Sequence, residues 1–201
     1  MNNQVNETSK VRRMTMTAML AAVSFVLQFL EFNVPFVPAF IKMDFSDLPA
    51  LIGAFALGPV SGVVIALIKN VLHLFMTSSG GVGELSNFIL SALFVLPAGL
   101  IYKHKKTRTR ALIGALTGAI VSALVSIPSN YFIVYPVYTA FMPMETIVSM
   151  YQAILPSVKN LLEALIIFNA PFTFIKEMIS VVITFIIYKH IAPFLKGTNQ
   201  H

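Results

Sequence analysis

The sequence predicts an all-α integral membrane protein with six transmembrane helices, the second of them short, and with both termini cytoplasmic. Three observations carry this. The 201 residues are 57% hydrophobic and only 11% charged, and mean hydropathy is +0.81, whereas a soluble domain carries about 25% charged residues. Several uncharged runs approach the ~20 residues that cross a ~30 Å hydrocarbon core. The 14 Lys and Arg are also unevenly placed. Lys10, Arg12 and Arg13 precede the first apolar run, five more fill "KHKKTRTR" at 103–110, and Lys189 and Lys196 follow the last run.

The first predicted span covers 14–31. Residues 1–10 are polar and no small-residue cleavage site follows the first apolar run, so that run reads as a retained helix and not a signal peptide. The stretch 48–76 is broken by Gly58-Pro59, a pair that suits the end of one helix and the first turn of the next. A single crossing there would strand the five-cation loop outside. Two crossings place that loop and both termini inside, as the distribution of Lys and Arg requires. The second helix, 48–57, then has only ten residues, about 15 Å of rise against a ~30 Å core. The loop before it is expected to dip into the outer leaflet. Spans at 60–77, 85–102, 111–133 and 171–190 complete a single domain over 1–201. The outer segment 135–170 is expected to be partly helical, with pieces at 147–153 and 157–168 resting at the lipid interface.

Polar chemistry gathers in the outer half, where Glu31, Asp44, Asp47, Glu84 and Glu145 fall. The last span carries Asn169, Thr173, Lys176, Ser180 and Thr184 at steps of four, three, four and four, which share one helical face. Lys176 lies ~8 Å into the helix from Pro171. Ionisable groups at such depth face a cavity or a partner, so Lys176 contacts a ligand or completes a salt bridge. Glu177 points elsewhere and is a candidate partner for a buried cation such as Lys69. The fifth span repeats small or polar residues every four positions: Gly114, Gly118, Ser122, Ser126 and Asn130. The glycines permit close helix approach. Asn130, level with Asn169 and Thr173, offers two donors and an acceptor to a ligand or to a neighbouring helix.

Lys69, Asn70 and His73 form a wet face and a candidate cavity network. Ser46 or Asp47 is placed to cap the short helix, with Pro49 in its first turn. Phe40, Ile41, Met43 and Phe45 put apolar side chains on an outer loop, as a lid over a flat ligand or as a membrane contact. Tyr131 is a further candidate wall. Glu84 and Asn87 open the fourth span, where helix initiation also explains them. Ala18 and Ala22 give the first span a small-xxx-small face for a partner helix.

Several classes are excluded. There is no cysteine, hence no disulfide or zinc–thiolate site. There is no phosphate-binding GxxxxGK[ST], no HExxH and no GxSxG. His73 beside Lys69 is a poor metal site. The basic loop is explained by topology and lipid charge, so no nucleic-acid partner is expected.

Over nearly its whole length the chain resembles the riboflavin-binding membrane (S) components of energy-coupling factor (ECF) transporters. "DFSDLPALIGAFALGP" from Asp44, "IKN" at 68–70, "PFTFIKE" from Pro171 and Ala18-xxx-Ala22 carry the resemblance. It implies a vitamin site near the outer face, built from the first outer loop and helices four to six. It also implies a transmembrane T subunit that meets Ala18 and Ala22, two separate ATPase subunits, and residence in a bacterial cell membrane. The chain itself would catalyse nothing and need no cofactor, riboflavin or its phosphate FMN being cargo. Carried over, the contacts fall on Asn130, Thr173 and Lys176, with Asp44, Glu84 and Asn87 beside them. The family pattern reads P-F-N-x-x-K. Here Thr173 replaces the Asn, so that contact passes to Thr173 or is shared with Asn169. Other vitamins (thiamine, biotin, pantothenate), a lipid-acting membrane enzyme and a structural subunit are the competing readings. Lys176 disfavours cationic thiamine.

Overall fold

The computed structural model describes residues 2–77 and 79–196. It is helical almost throughout. The long helices are α1 (Asn2–Phe29), α3 (Pro59–His73), α4 (Val82–His104), α5 (Arg108–Ser129) and α9 (Ala170–Lys196). The ten-residue α2 (Asp47–Ala56) is central, and α6 (Tyr135–Tyr138), α7 (Met144–Gln152) and α8 (Leu161–Ala164) are short pieces at the end of the bundle that the sequence reading takes as outer. Continuous helical stretches at Pro59–Met76, Val82–His104, Arg108–Tyr138 and Leu161–Tyr188 are long and apolar enough to cross a membrane. The apolar part of α1 is shorter, because Arg12 and Arg13 interrupt it. Its outward residues Met14, Met19, Val23, Val26 and Phe29 are exposed and apolar. The expectation of cytoplasmic termini concerns Met1 and residues 197–201, which lie outside the described residues.

A helix that is apolar all round is buried all round, and α2 obeys this: every residue from Asp47 to Phe55 is buried. It contacts α1, α3, α4 and α9. Gly58 makes the turn into α3 at φ 109°, and Pro59 follows in the first turn of α3. Only glycine takes such a φ at no steric cost.

The small-residue face of α5 meets α4 at backbone distance. A Cβ at Gly118 would sit 2.1 Å from the Phe94 carbonyl oxygen, and one at Gly114 would sit 2.7 Å from that of Ala98. Around this contact lies one apolar core, with Leu51, Ala54, Ile65, Phe94, Val95, Ala98, Ala115 and Val181 buried.

The outer end is a second core. Val82, Tyr135, Ile147, Tyr151, Val158, Leu161, Leu165 and Phe168 pack together there. The pieces expected at 147–153 and 157–168 pack on the bundle by one face at least: Tyr151 and Ile147 are fully enclosed, and the second piece begins at Leu161 and runs without a break into α9. Two π-helical turns, Asn130–Val134 and Leu165–Asn169, join the spans to this cap. The fifth span therefore continues to Tyr138 where the sequence placed its end near 133, and the last begins at Leu161 where the sequence placed 171. Between α1 and α2 a two-stranded ladder pairs β1 (Phe32–Asn33) with β2 (Lys42–Met43), tied by a Lys42–Glu31 ion pair.

Candidate functional site

Between the ladder loop, α3–α5 and α9 lies a cavity of ≈ 290 Å³, at the lower end of the size range of small-molecule sites. Phe40, Ile41, Asp44, His73, Glu84, Asn87, Asn130, Asn169, Thr173, Lys176 and Glu177 all reach it. The sequence assembled this set from five separate stretches. Met43, Phe45, Lys69 and Asn70 do not line it. Met43 is buried in the ladder, and the Phe45 ring lies 6.0 Å from that of Phe32.

Beneath the cavity floor is a network of four buried charges. Lys176 Nζ donates to Asp44 Oδ2 at 2.8 Å and to Asn87 Oδ1 at 3.4 Å, and lies 3.7 Å from Asp47 Oδ2. Lys69 Nζ donates to Asp47 Oδ1 at 2.7 Å and to Ser46 Oγ at 2.5 Å. Ser46 in turn donates from its backbone N–H to Asp44 Oδ1 at 2.8 Å, and Ser91 donates to Asp47. Two lysines and two aspartates thus cancel. Burial alone would raise the Asp44 carboxyl, but the Lys176 and Lys69 charges hold it well below its ordinary value.

The network changes three expectations. Lys176 faces the cavity and also holds a salt bridge. Asp47 and Ser46 do not cap α2: no side-chain cap bond forms there, because both groups are engaged by Lys69. Glu177 is not the partner of Lys69. It is buried against Ser122, with its Oε2 unpartnered. The sequence carried the signal for the true pairs, since Asp44, Asp47 and Lys69 are all present in otherwise apolar stretches. Spacing along one helix could not show which loop crosses to which helix.

The cavity rim is also tied. His73 Nδ1 and Glu84 Oε1 are 2.7 Å apart, and Thr77 and Ser79 donate to Glu84 Oε2 at 2.8 and 3.1 Å. Asn70 accepts from Gln28 of α1 at 3.1 Å. The Asn130 oxygen accepts from Ser86 at 3.1 Å, which leaves its two N–H donors for the cavity.

The outer wall holds residues that sequence reasoning missed. Tyr151 donates to Asn169 Oδ1 at 2.6 Å, Asn169 Nδ2 donates to the Tyr135 hydroxyl at 3.2 Å, and the two tyrosine hydroxyls pair. Phe40 of the ladder loop sits against this group, its ring 5.8 Å from Tyr151, 6.1 Å from Tyr138 and 6.3 Å from Tyr135. Tyr131 points away and is exposed. The π turn explains the exchange. Its i→i+5 bond, from Tyr135 N–H to the Asn130 carbonyl, brings residue 135 onto the face of residue 130. Regular fours would have chosen residue 134 alone, whereas Val134 and Tyr135 both line the cavity. Such π turns recur at functional sites. Ala18 and Ala22, by contrast, lie far from the cavity on the exposed face of α1.

Comparison with known proteins bears on this geometry. The family model for the ECF transporter, substrate-specific component, matches residues 12–188. The chain is 34% identical to the riboflavin transporter RibU of Staphylococcus aureus, over 92% of this chain and 93% of that one. It is 30% identical to the riboflavin transporter FmnP of Bacillus subtilis, over 93% and 95%. A solved structure of the S component of a bacterial ECF transporter superposes with a TM-score of 0.73 at 32% identity, covering 94% of this chain and 99% of its own.

Proposed function

The chain belongs to the substrate-specific components of ECF transporters, and from that premise we propose that it captures riboflavin at the outer face of a bacterial cell membrane. The observation that carries the proposal is the chemistry of the cavity wall. Aromatic and apolar side chains (Phe40, Ile41, Tyr135, Tyr138, Phe172) lie beside amide and hydroxyl groups (Asn87, Asn130, Thr173). A flavin has flat apolar faces and hydrogen-bonding edges, and such a wall suits it. Apart from Glu177, which is buried against Ser122, the wall's main ionisable groups have partners: Lys176 pairs with Asp44 and Lys42 with Glu31, and Glu84 is hydrogen-bonded to His73. A neutral ligand therefore fits better than cationic thiamine or the free carboxylates of biotin and pantothenate. Two relatives carry the name riboflavin transporter.

In this reading α1, α2 and the four long apolar stretches make six crossings. The basic 103–110 loop and both termini are cytoplasmic. The chain catalyses no reaction. A T subunit meets the exposed Ala18 and Ala22, and ATP hydrolysis in two partner subunits drives release inward. Asn130 and Thr173 hold the flavin edge. Lys176 contributes a third donor while it keeps Asp44 paired. The ladder loop, with Phe40 on the tyrosine cluster, closes the site.

The test is a binding panel on purified protein: riboflavin, FMN, thiamine, biotin and pantothenate by calorimetry. Saturation by riboflavin at one per chain, with none by the last three, is expected. Absence of riboflavin binding while another vitamin saturates the protein would overturn the proposal.

A further inference from the structure

A second cavity of ≈ 340 Å³ opens at the opposite end of the bundle, between α2, α4, α5 and α9. Its walls are aromatic: the Phe55 ring lies 5.0 Å from Tyr102 and 6.3 Å from Tyr188, with Phe185 beside them. Its rim carries Arg108, the first residue of α5, and no ion pair engages Arg108 among the described residues. On its wall the Thr184 hydroxyl is buried and without a partner. Ile186, on the same rim, is 65% exposed. The slot therefore joins an apolar interior, an orphan hydroxyl, an unpaired guanidinium and a side open toward the membrane.

We propose that this slot binds one anionic phospholipid, its phosphate on Arg108 and the α5 N-terminus and its upper acyl chain between the aromatic walls. Three points favour a lipid over a protein side chain. Helix N-termini favour phosphate. Basic pockets between spans on the cytoplasmic side take acidic headgroups. The neighbouring Lys103, Lys105, Lys106 and Arg110 add the same sign of charge. The site is separate from the riboflavin cavity, and its place on the cytoplasmic side rests on the topology proposed above.

The chain has no tryptophan, so Ile186→Trp supplies a single fluorescent reporter at the rim. The protein is reconstituted in mixed vesicles in which either phosphatidylglycerol or phosphatidylcholine carries brominated chains. Phosphatidylglycerol is expected to quench with about a fivefold preference, the size of one cation–headgroup contact. Arg108→Gln on the same reporter should bring that preference close to one, whereas Lys105→Gln, in the same loop but outside the slot, should keep it. Arg108 is exposed, and riboflavin affinity of the variant should be unchanged, which separates this proposal from the capture reading. Equal quenching by the two lipids would overturn it and leave the slot to a protein partner. Equal losses in Arg108→Gln and Lys105→Gln would overturn it too, showing surface charge alone.

Discussion

The two ends of the bundle are built by opposite means. At the inner end α4 and α5 touch through Gly114 and Gly118, and alanines fill the seam. At the outer end Asp44, Asp47, Lys69 and Lys176 are enclosed together, and two π turns break the helical register. Buried ion pairs are a poor source of stability compared with apolar packing. Among the described residues they stand at this end only, which indicates that it is shaped for a task. The lesson is a division of labour: close packing holds the spans, and the polar end spends regularity on a cavity.

The largest effect should come from breaking the charge network. Lys69→Met takes from buried Asp47 its nearest cation and leaves only Lys176, 3.7 Å away; breaking a buried pair typically costs about 3–5 kcal/mol. A large fall in thermal midpoint, or loss of folded yield in detergent, is expected. A midpoint near that of the native protein would show that Lys176 and Ser91 hold Asp47 without Lys69.

Next comes the inner seam. Gly118→Ala places a methyl group against the Phe94 carbonyl, and overpacking of this kind costs about 1–3 kcal/mol. Thermal unfolding should report that loss, while the folded fraction keeps native riboflavin affinity. A fall in affinity would mean that the two ends are coupled.

Smaller effects sharpen the outer end. Thr173→Asn restores the family pattern at the cavity edge. One added hydrogen bond of about 0.5–1.5 kcal/mol should tighten riboflavin binding by up to about tenfold, read by fluorescence titration. Weaker binding would mean that the cavity has reshaped around threonine. The smallest effect should be that of pH. The Asp44 carboxyl is depressed by Lys176 and Lys69 against the opposing effect of burial. Its contribution to stability is present above the ordinary value of 3.8 and is lost only as pH falls through its still lower folded value. Thermal stability should show no loss from this pair between about pH 8 and pH 5. A drop within that window would assign the network a different charge state.

Much of this was legible in the sequence, and the limits have physical causes. The threes and fours along the fifth and last spans placed Asn130, Asn169, Thr173 and Lys176 on buried faces, because helical periodicity fixes a face from sequence alone. The Gly58-Pro59 break separated α2 from α3 for an equally local reason. The Lys176–Asp44 pair joins residues far apart in sequence, so no local rule could find it. Tyr135 was missed because a π turn shifts the register by one residue. Tyr151 was missed because α7 has too little length to show its face, and its burial depends on how residues 139–160 fold back onto the bundle.

The most direct test of the outer cavity as the riboflavin site is a riboflavin titration of Asn130→Ala. The substitution removes the two N–H donors that face the cavity, and with them the oxygen that accepts from Ser86, so Ser86→Ala serves as the control for the second loss. Loss of a buried ligand hydrogen bond, about 1–3 kcal/mol, should weaken binding about 5- to 150-fold with the fold retained. Native affinity in a folded Asn130→Ala protein would contradict the assignment.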